Sequence, residues 1–249
     1  MIGEASEAAF VTKLRAGDEA AYRVLVKRHH AALTALARTI LRSHASAEEV
    51  VQETWLAVVR HIGEFEHRSH LSTWIIEILL NKARTRAARD GRSTTFSDLM
   101  ASEPDADHGD GVDRFLRNGH WAEPVASWDQ LDPERIVAGR ELWAHVWKVL
   151  DNLPAAQRAV VLMRDVEGAD LAEIGRLLDL SPANVRVLLH RGRHRLRAVI
   201  QSLLDGTSAQ EIVNRARPAN RNVRSSRGSD RNRRRVMIGW PRLVLGIIR

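Results

Sequence analysis

The stretch DLAEIGRLLDLSPANVRVLLHRGRHRLR, Asp170 to Arg197, decides the fold. Leu171, Ile174, Leu177 and Leu178 repeat at helical spacing and make the apolar stripe of a short helix. Asp179-Leu180-Ser181 reads as a tight turn, with Ser181 as N-cap and Pro182 at the first helical position. A longer helix follows, burying Val185, Leu188, Leu189, Gly192, Leu196 and Val199. At about 100° per residue, Arg186, Val187, His190, Arg191, His194 and Arg197 fall on its other side, with Ala183 and Asn184 leading. Ser181 to Arg197 holds five arginines, two histidines and no acid. Two helices joined by a three-residue turn, the second basic on its outer face, make a helix-turn-helix, whose second helix enters the major groove of DNA. The expected DNA-facing set is Ser181, Ala183, Asn184, Arg186, His190, Arg191 and Arg193. Asn184 and Arg186 lie early enough to read base edges, since asparagine pairs with adenine and arginine with guanine. Arg191, Arg193, Arg195 and Arg197 come later and grip phosphates, which gives affinity without sequence information. A solvated basic helix in an ordinary bundle is the plainer alternative. His190 and His194 have a metal-binding spacing, but an HExxH pattern and cysteine are lacking and arginines surround them, so no metal is expected.

Outward from this segment, the 249-residue chain is long enough for two small domains and a linker. It contains no cysteine, which excludes disulfides, thiolate metal sites and cysteine nucleophiles. Its first residues, MIGEASEAAF, do not form a secretion signal, and no run reaches the roughly 18 apolar residues of a membrane span. The expected location is the cytoplasm. The net charge of +7 is unevenly spread. Residues 206–249 carry eleven arginines against Glu211 and Asp230, a balance of +9 that leaves about −2 for residues 1–205. The basic character belongs to a tail, and any basic surface elsewhere must be local.

The periodicity is helical throughout, with no convincing strand, so an all-α chain of two small helical domains is expected. Ala21, Leu25, Leu33, Leu36 and Ile40 mark a long helix from Asp18. Ser46 and Glu49 have capping-box spacing and predict a helix through about Ile62, with Val50, Val51, Thr54, Trp55, Val58, Val59 and Ile62 on its apolar side. After a polar loop, Gly63 to His70, a third helix runs from about Leu71 to Arg89, ending in Lys82, Arg84, Arg86 and Arg89. These make a first domain over 1–92. Residues 93–134 hold ten acids against Arg114 and Arg117 and read as a flexible acidic linker with a charge of about −8. Helices at about 133–151, 154–166, 170–178 and 182–203 form the second domain, 135–205. A disordered basic tail, 206–249, completes the chain, and nothing in the sequence assigns it a role.

The helix SAEEVVQETWLAVVRHI gathers Glu48, Glu49, Gln52 and Glu53 on its polar side, a face that suits a basic protein surface or plain solvation. AEEVVQETWLAV, LSTWIIEILLNKARTRAAR and LPAAQRAVVLMRDVEGADLAEIGRLLDLSPANVRVLLHRGRHRLR together resemble the small two-domain sigma factors of bacterial RNA polymerase, the extracytoplasmic-function group. The resemblance covers about residues 5–90 and 135–204, with three motifs in the family's order. It implies that Glu48, Glu49, Gln52 and Glu53 bind core RNA polymerase, docking on a coiled coil of its largest subunit. It implies that the helix Leu71 to Arg89 recognises and melts the promoter −10 element, with Trp74 and Asn81 at matching positions, and Lys82, Arg84 and Arg86 complete the expected −10 set. The loop Gly63 to His70 then helps capture a flipped-out base, and the helix-turn-helix reads the −35 element. An anti-sigma partner is implied by the resemblance alone.

The residues themselves support several of these roles. Melted bases need aromatic faces or pockets, and Trp74 offers one, though a core anchor reads equally well there. Lys82, Arg84, Arg86 and Arg89 hold the DNA backbone or favour the negative end of the helix dipole. The family often places an aromatic and an arginine after this tryptophan and an arginine before the asparagine; here those positions are Ile76, Glu77 and Leu80. Asp179 stands where the family often has a turn glycine, and aspartate tolerates a left-handed backbone. Two DNA elements two helical turns apart lie about 70 Å apart, and the 42-residue linker spans up to about 140 Å. Trp121 and Trp128 anchor that linker to polymerase or to the second domain.

The expectation is a transcription initiation factor that is not an enzyme, takes no cofactor or small-molecule substrate, and partners core polymerase and promoter DNA. The rival is a conventional helix-turn-helix regulator that leaves the sigma subunit in place. A phosphate-binding glycine loop, a nucleophile elbow and a metal-ligand cluster are all missing from the sequence. His29 and His30 read as surface residues.

Overall fold

The computed structural model describes residues 4–91, 147 and 149–204, and these contain helices and turns only. Helices α1 (Glu4–Arg15), α2 (Glu19–Ile40), α3 (His44–His61) and α4 (Leu71–Arg89) form the first unit, with a short 3-10 turn, Ile62–Glu64, after α3. Asp18 starts α2 as expected, its carboxylate accepting from Ala20 N–H at 2.9 Å and Ala21 N–H at 3.2 Å. The start of α3 departs from expectation. Ser43, not Ser46, is the N-cap, and its hydroxyl accepts from Ser46 N–H at 3.3 Å. Ser46 and Glu49 therefore sit inside the helix. The N-terminus of α4 is capped from outside, because Glu7 of α1 accepts from Leu71 N–H at 3.1 Å and sets a carboxylate against the positive end of the dipole. The core of this unit is aliphatic: Leu14, Leu25, Leu33, Leu36, Val51, Val58, Ile75, Ile76, Leu79 and Leu80 are all buried.

Of the second unit, the first described residues are Trp147 and 149–152, all helical. Then come α5 (Ala155–Val161), a π-helical turn at Leu162–Val166 that continues it, α6 (Leu171–Leu178) and α7 (Pro182–Leu204). In the π-turn Glu167 N–H donates to Leu162 O at 3.0 Å, a five-residue step. Two glycines allow close approach, Gly192 between helices and Gly175 against the turn after its own helix. A Cβ on Gly192 of α7 would lie 2.6 Å from Val161 Cγ2 on α5, and one on Gly175 would lie 2.9 Å from the backbone oxygen of Leu180. Asp179 ends α6 with φ 55° and ψ 49°, the left-handed conformation that the turn requires.

The two units pack against each other, α2 against α5 and α4 beside α6. Their shared surface contains His29, which is buried with its Nδ1 2.6 Å from Glu167 Oε2, so His29 is not the surface residue that the sequence suggested. The acidic linker 93–134 with Trp121 and Trp128, the helix expected over 133–146 and the tail 206–249 lie outside the described residues. No helix among the described residues is long and apolar enough to cross a membrane.

Candidate functional site

The outer face of α7 begins at the tight turn. Ser181 Oγ accepts from Asn184 N–H at 3.2 Å and so fixes the first turn of the helix. Ser181, Ala183, Asn184, Arg186 and Val187 are exposed in a row, while Val185, Leu188 and Leu189 are buried behind them. His190 and Arg191 are half-buried at the edge of this face, and His194 is exposed with its ring stacked 6.4 Å from that of His190. Arg195 turns toward α5, where it donates to Gln157 Oε1 at 2.9 Å. Of the expected set, Ser181, Ala183, Asn184, Arg186, His190 and Arg191 thus lie along one side of the helix from its N-terminal turn.

Arg193 requires a correction. Its side chain is buried and clasps Asp165 through Nε at 3.0 Å and Nη2 at 2.6 Å. A guanidinium held bidentately inside the domain is not offered to phosphate. The π-turn that carries Asp165 and the helix that carries Arg193 are tied together by this pair.

On the first unit, the acids expected to bind polymerase and the cations expected to bind DNA meet along the α3–α4 seam. Glu49 pairs with Arg86 at 2.9 Å and Glu53 with Lys82 at 3.7 Å. Glu48 and Gln52 lie further round α3, with Glu48 3.8 Å from His44 of the same helix. Between these polar groups the structure exposes two aliphatic side chains, Leu56 at 57%, which no signal of its own marks, and Val59 at 54%. Val59, expected on the apolar side, faces outward instead. Both follow Gln52 at helical spacing, so the exposed strip of α3 is Glu48, Gln52, Leu56 and Val59, flanked by Glu49 and Glu53. Only the neighbouring acids could have signalled this, because an isolated aliphatic residue on a helix reads as core.

At the other end of α4 an aromatic group assembles. Phe65 is buried, and its ring lies 5.3 Å from Trp74 and 4.7 Å from His67. Trp74 is half-buried against the core, so one indole serves both as anchor and as part of an aromatic edge. His67 is exposed with a left-handed backbone, φ 58°, uncommon for a residue with a Cβ. No periodicity announces such a residue. Asn81 is exposed on α4. Arg84 donates to the carbonyl of Leu177 in the second unit. Ile76 and Leu80 are fully buried, and Glu77 receives two hydrogen bonds from Arg176 at 3.0 and 3.4 Å. Those bonds hold the Arg176 guanidinium above its ordinary pKa.

Comparisons with known proteins give matches to each unit. The sigma-70 region 2 family matches residues 25–93, which contain α3 and α4, and the sigma-70 region 4 family matches residues 145–196, which contain the helix-turn-helix. The ECF RNA polymerase sigma-E factor of Haemophilus influenzae is 27% identical over 204 residues, covering 82% of this chain and 100% of that protein. The RNA polymerase sigma-H factor of Pseudomonas aeruginosa is 24% identical over 204 residues, covering 82% of this chain and 98% of that protein. A solved structure of CnrH in complex with the cytosolic domain of CnrY matches 81% of this chain and 99% of that chain at 23% identity, with a TM-score of 0.40.

Proposed function

This chain belongs to the extracytoplasmic-function group of the sigma-70 family of RNA polymerase sigma factors, and on that premise we propose how its residues share the work of promoter-specific initiation. Residues 1–92 act as the unit that binds core polymerase and opens the −10 region. Residues 135–205 act as the unit that reads the −35 element, and 93–134 join them. The acidic and aliphatic strip of α3, with Glu48, Glu49, Gln52, Glu53, Leu56 and Val59, docks on the polymerase. Leu56 supplies apolar area at its centre while the carboxylates choose a basic partner surface. This exposed mixed strip is the observation that carries the reading, because a regulator acting alone on duplex DNA has no use for it.

On the DNA side, Asn184 and Arg186 take base edges, Ser181 and Ala183 seat the helix against the backbone, and His190 and Arg191 reach phosphates. Trp74, His67 and Asn81 receive unstacked −10 bases, with Lys82, Arg84 and Arg86 on the backbone. Arg193 is left out of the set because Asp165 holds it inside. The phosphodiester chemistry belongs to the polymerase, and the place of work is the cytoplasm, where the transcription machinery is.

Run-off transcription on a random promoter library, with purified core polymerase, tests the proposal. Discrete start sites that appear only when the chain is added are the expected result. Tight duplex binding by the chain alone, with no start sites, would instead support the helix-turn-helix regulator.

A further inference from the structure

Helix α1 lies before residues 25–93, the span that the sigma-70 region 2 family matches, yet it reaches both ends of the loop Gly63 to His70. At one end Arg15 donates through Nε to Ile62 O at 3.3 Å and through Nη2 to Phe65 O at 2.5 Å. At the other, Glu7 accepts from Leu71 N–H at 3.1 Å and lies 3.6 Å from His70 Nδ1. The two residues are eight positions apart on one helix, about 12 Å along its axis. Each charge meets a helix end of opposite sign. The cation stands at the carbonyls that close α3 and its 3-10 turn, and the anion stands at the first N–H of α4.

Burial does little to fix this loop. Of its eight residues only Phe65 is buried, and Glu66, His67 and Arg68 are exposed. Glu66 pairs with Arg68, but a pair so open to solvent holds weakly. His67 keeps its left-handed φ of 58°, a conformation that persists in a residue with a Cβ only where the surroundings over-determine it. The carbonyl of Phe65 that Arg15 holds lies two residues before His67. The N–H that Glu7 holds lies three residues before Trp74, whose own N–H donates to His70 O at 3.1 Å. The aromatic edge of Phe65, His67 and Trp74 is thus held on both sides by α1.

We propose that α1 is a splint for base capture, with Arg15 and Glu7 as positioning residues that set the loop and the first turn of α4 before an unstacked −10 base arrives. The proposal rests on the reading of Trp74 and His67 as groups that receive such bases. Its physical basis is preorganisation, because a loop that is already ordered loses less conformational freedom when it binds. Neither Arg15 nor Glu7 needs to touch DNA for this effect.

Arg15→Gln and Glu7→Ala test this in the full chain, since neither residue belongs to the sets assigned to polymerase or DNA. Lys13→Gln is the control, removing the same charge as Arg15→Gln from an exposed position of the same helix. On a promoter drawn from the run-off library, holoenzyme with Arg15→Gln or Glu7→Ala should form open complexes about tenfold more slowly, the scale of one lost hydrogen bond to a charged group. Affinity for core polymerase and for a −35 duplex should keep its natural value, a split that a general loss of structure does not produce. Natural opening rates in both variants overturn the splint. Equal slowing by Lys13→Gln also overturns it, because the charge of α1 would then act by attracting DNA. Deuterium uptake over residues 62–71 of the isolated chain gives a second measure. Uptake should rise several-fold in Arg15→Gln and Glu7→Ala and stay natural in Lys13→Gln; equal uptake in all three sinks the proposal. Should the natural chain itself give no start sites, the sigma-factor reading fails instead, and uptake alone decides whether α1 orders the loop.

Discussion

Arg186 and Arg193 sit two turns apart on α7 and carry the same guanidinium, yet one is exposed and the other buried. The difference has separable consequences. Arg193→Ala leaves Asp165, whose side chain is 2% exposed, as an unpaired buried carboxylate, a loss of about 3–5 kcal/mol in thermal or urea unfolding. Arg186→Ala removes a solvent-facing side chain and should leave stability within about 0.5 kcal/mol. It should weaken binding of a −35 duplex by about tenfold or more, since one base contact is worth about 1–3 kcal/mol. If Arg193→Ala unfolded no more easily than Arg186→Ala, the ion pair would not hold the fold. Asp179 makes a second residue-scale case. Its φ of 55° is hard for a β-branched side chain, so Asp179→Val should cost about 1–2 kcal/mol, whereas Asp179→Gly should be neutral or stabilising. Unfolding midpoints of the two variants check it.

At the scale of elements, local signals were read well and non-local ones were not. The Asp18 cap and the leucine spacing gave α2 its true start, and Asp179-Leu180-Ser181 gave the turn of the helix-turn-helix. The start of α3 is ambiguous in the sequence because Ser43 and Ser46 are both sound caps by residue type, and the structure uses Ser43. Arg193 reads as a DNA contact in the sequence because a charge at the border of a helix face gives no sign of an acid 28 residues away. Leu56 carries no mark of exposure, and Val59, expected on the apolar side, faces solvent, because an aliphatic residue on a helix reads as core. Their strip on α3 yields a prediction. Glu49–Arg86 and Glu53–Lys82 are surface pairs worth about 0–1 kcal/mol each, so changes on this face should hardly alter stability. Leu56→Asp should therefore leave the unfolding midpoint in place while lowering affinity for core polymerase by about tenfold, the scale of a desolvated anchor at an interface. Titration of fluorescently labelled chain with core enzyme measures this, and unchanged affinity would remove Leu56 from the docking face.

For the molecule as a whole, the all-helical class and the helix-turn-helix were legible, but the packing of one unit on the other was not. His29 and Glu167 are 138 residues apart and Glu77 and Arg176 are 99 apart, separations at which no local pattern exists. Charge, by contrast, is fully written in the sequence and sets a whole-molecule expectation. Residues 206–249 carry a balance of +9 and residues 1–205 about −2, so the chain's long-range attraction to duplex DNA comes mostly from its last segment. Each phosphate neutralised by a cation contributes about −0.9 to the slope of log affinity against log salt. Truncation after Asp205 should therefore flatten the salt dependence of nonspecific duplex binding by several units of slope. The start sites chosen with core polymerase should not change, because Asn184, Arg186 and the α4 residues all remain. Equal slopes for the full and truncated chains would show that the arginines of the last segment do not reach DNA, and altered start sites would show that they take part in promoter choice.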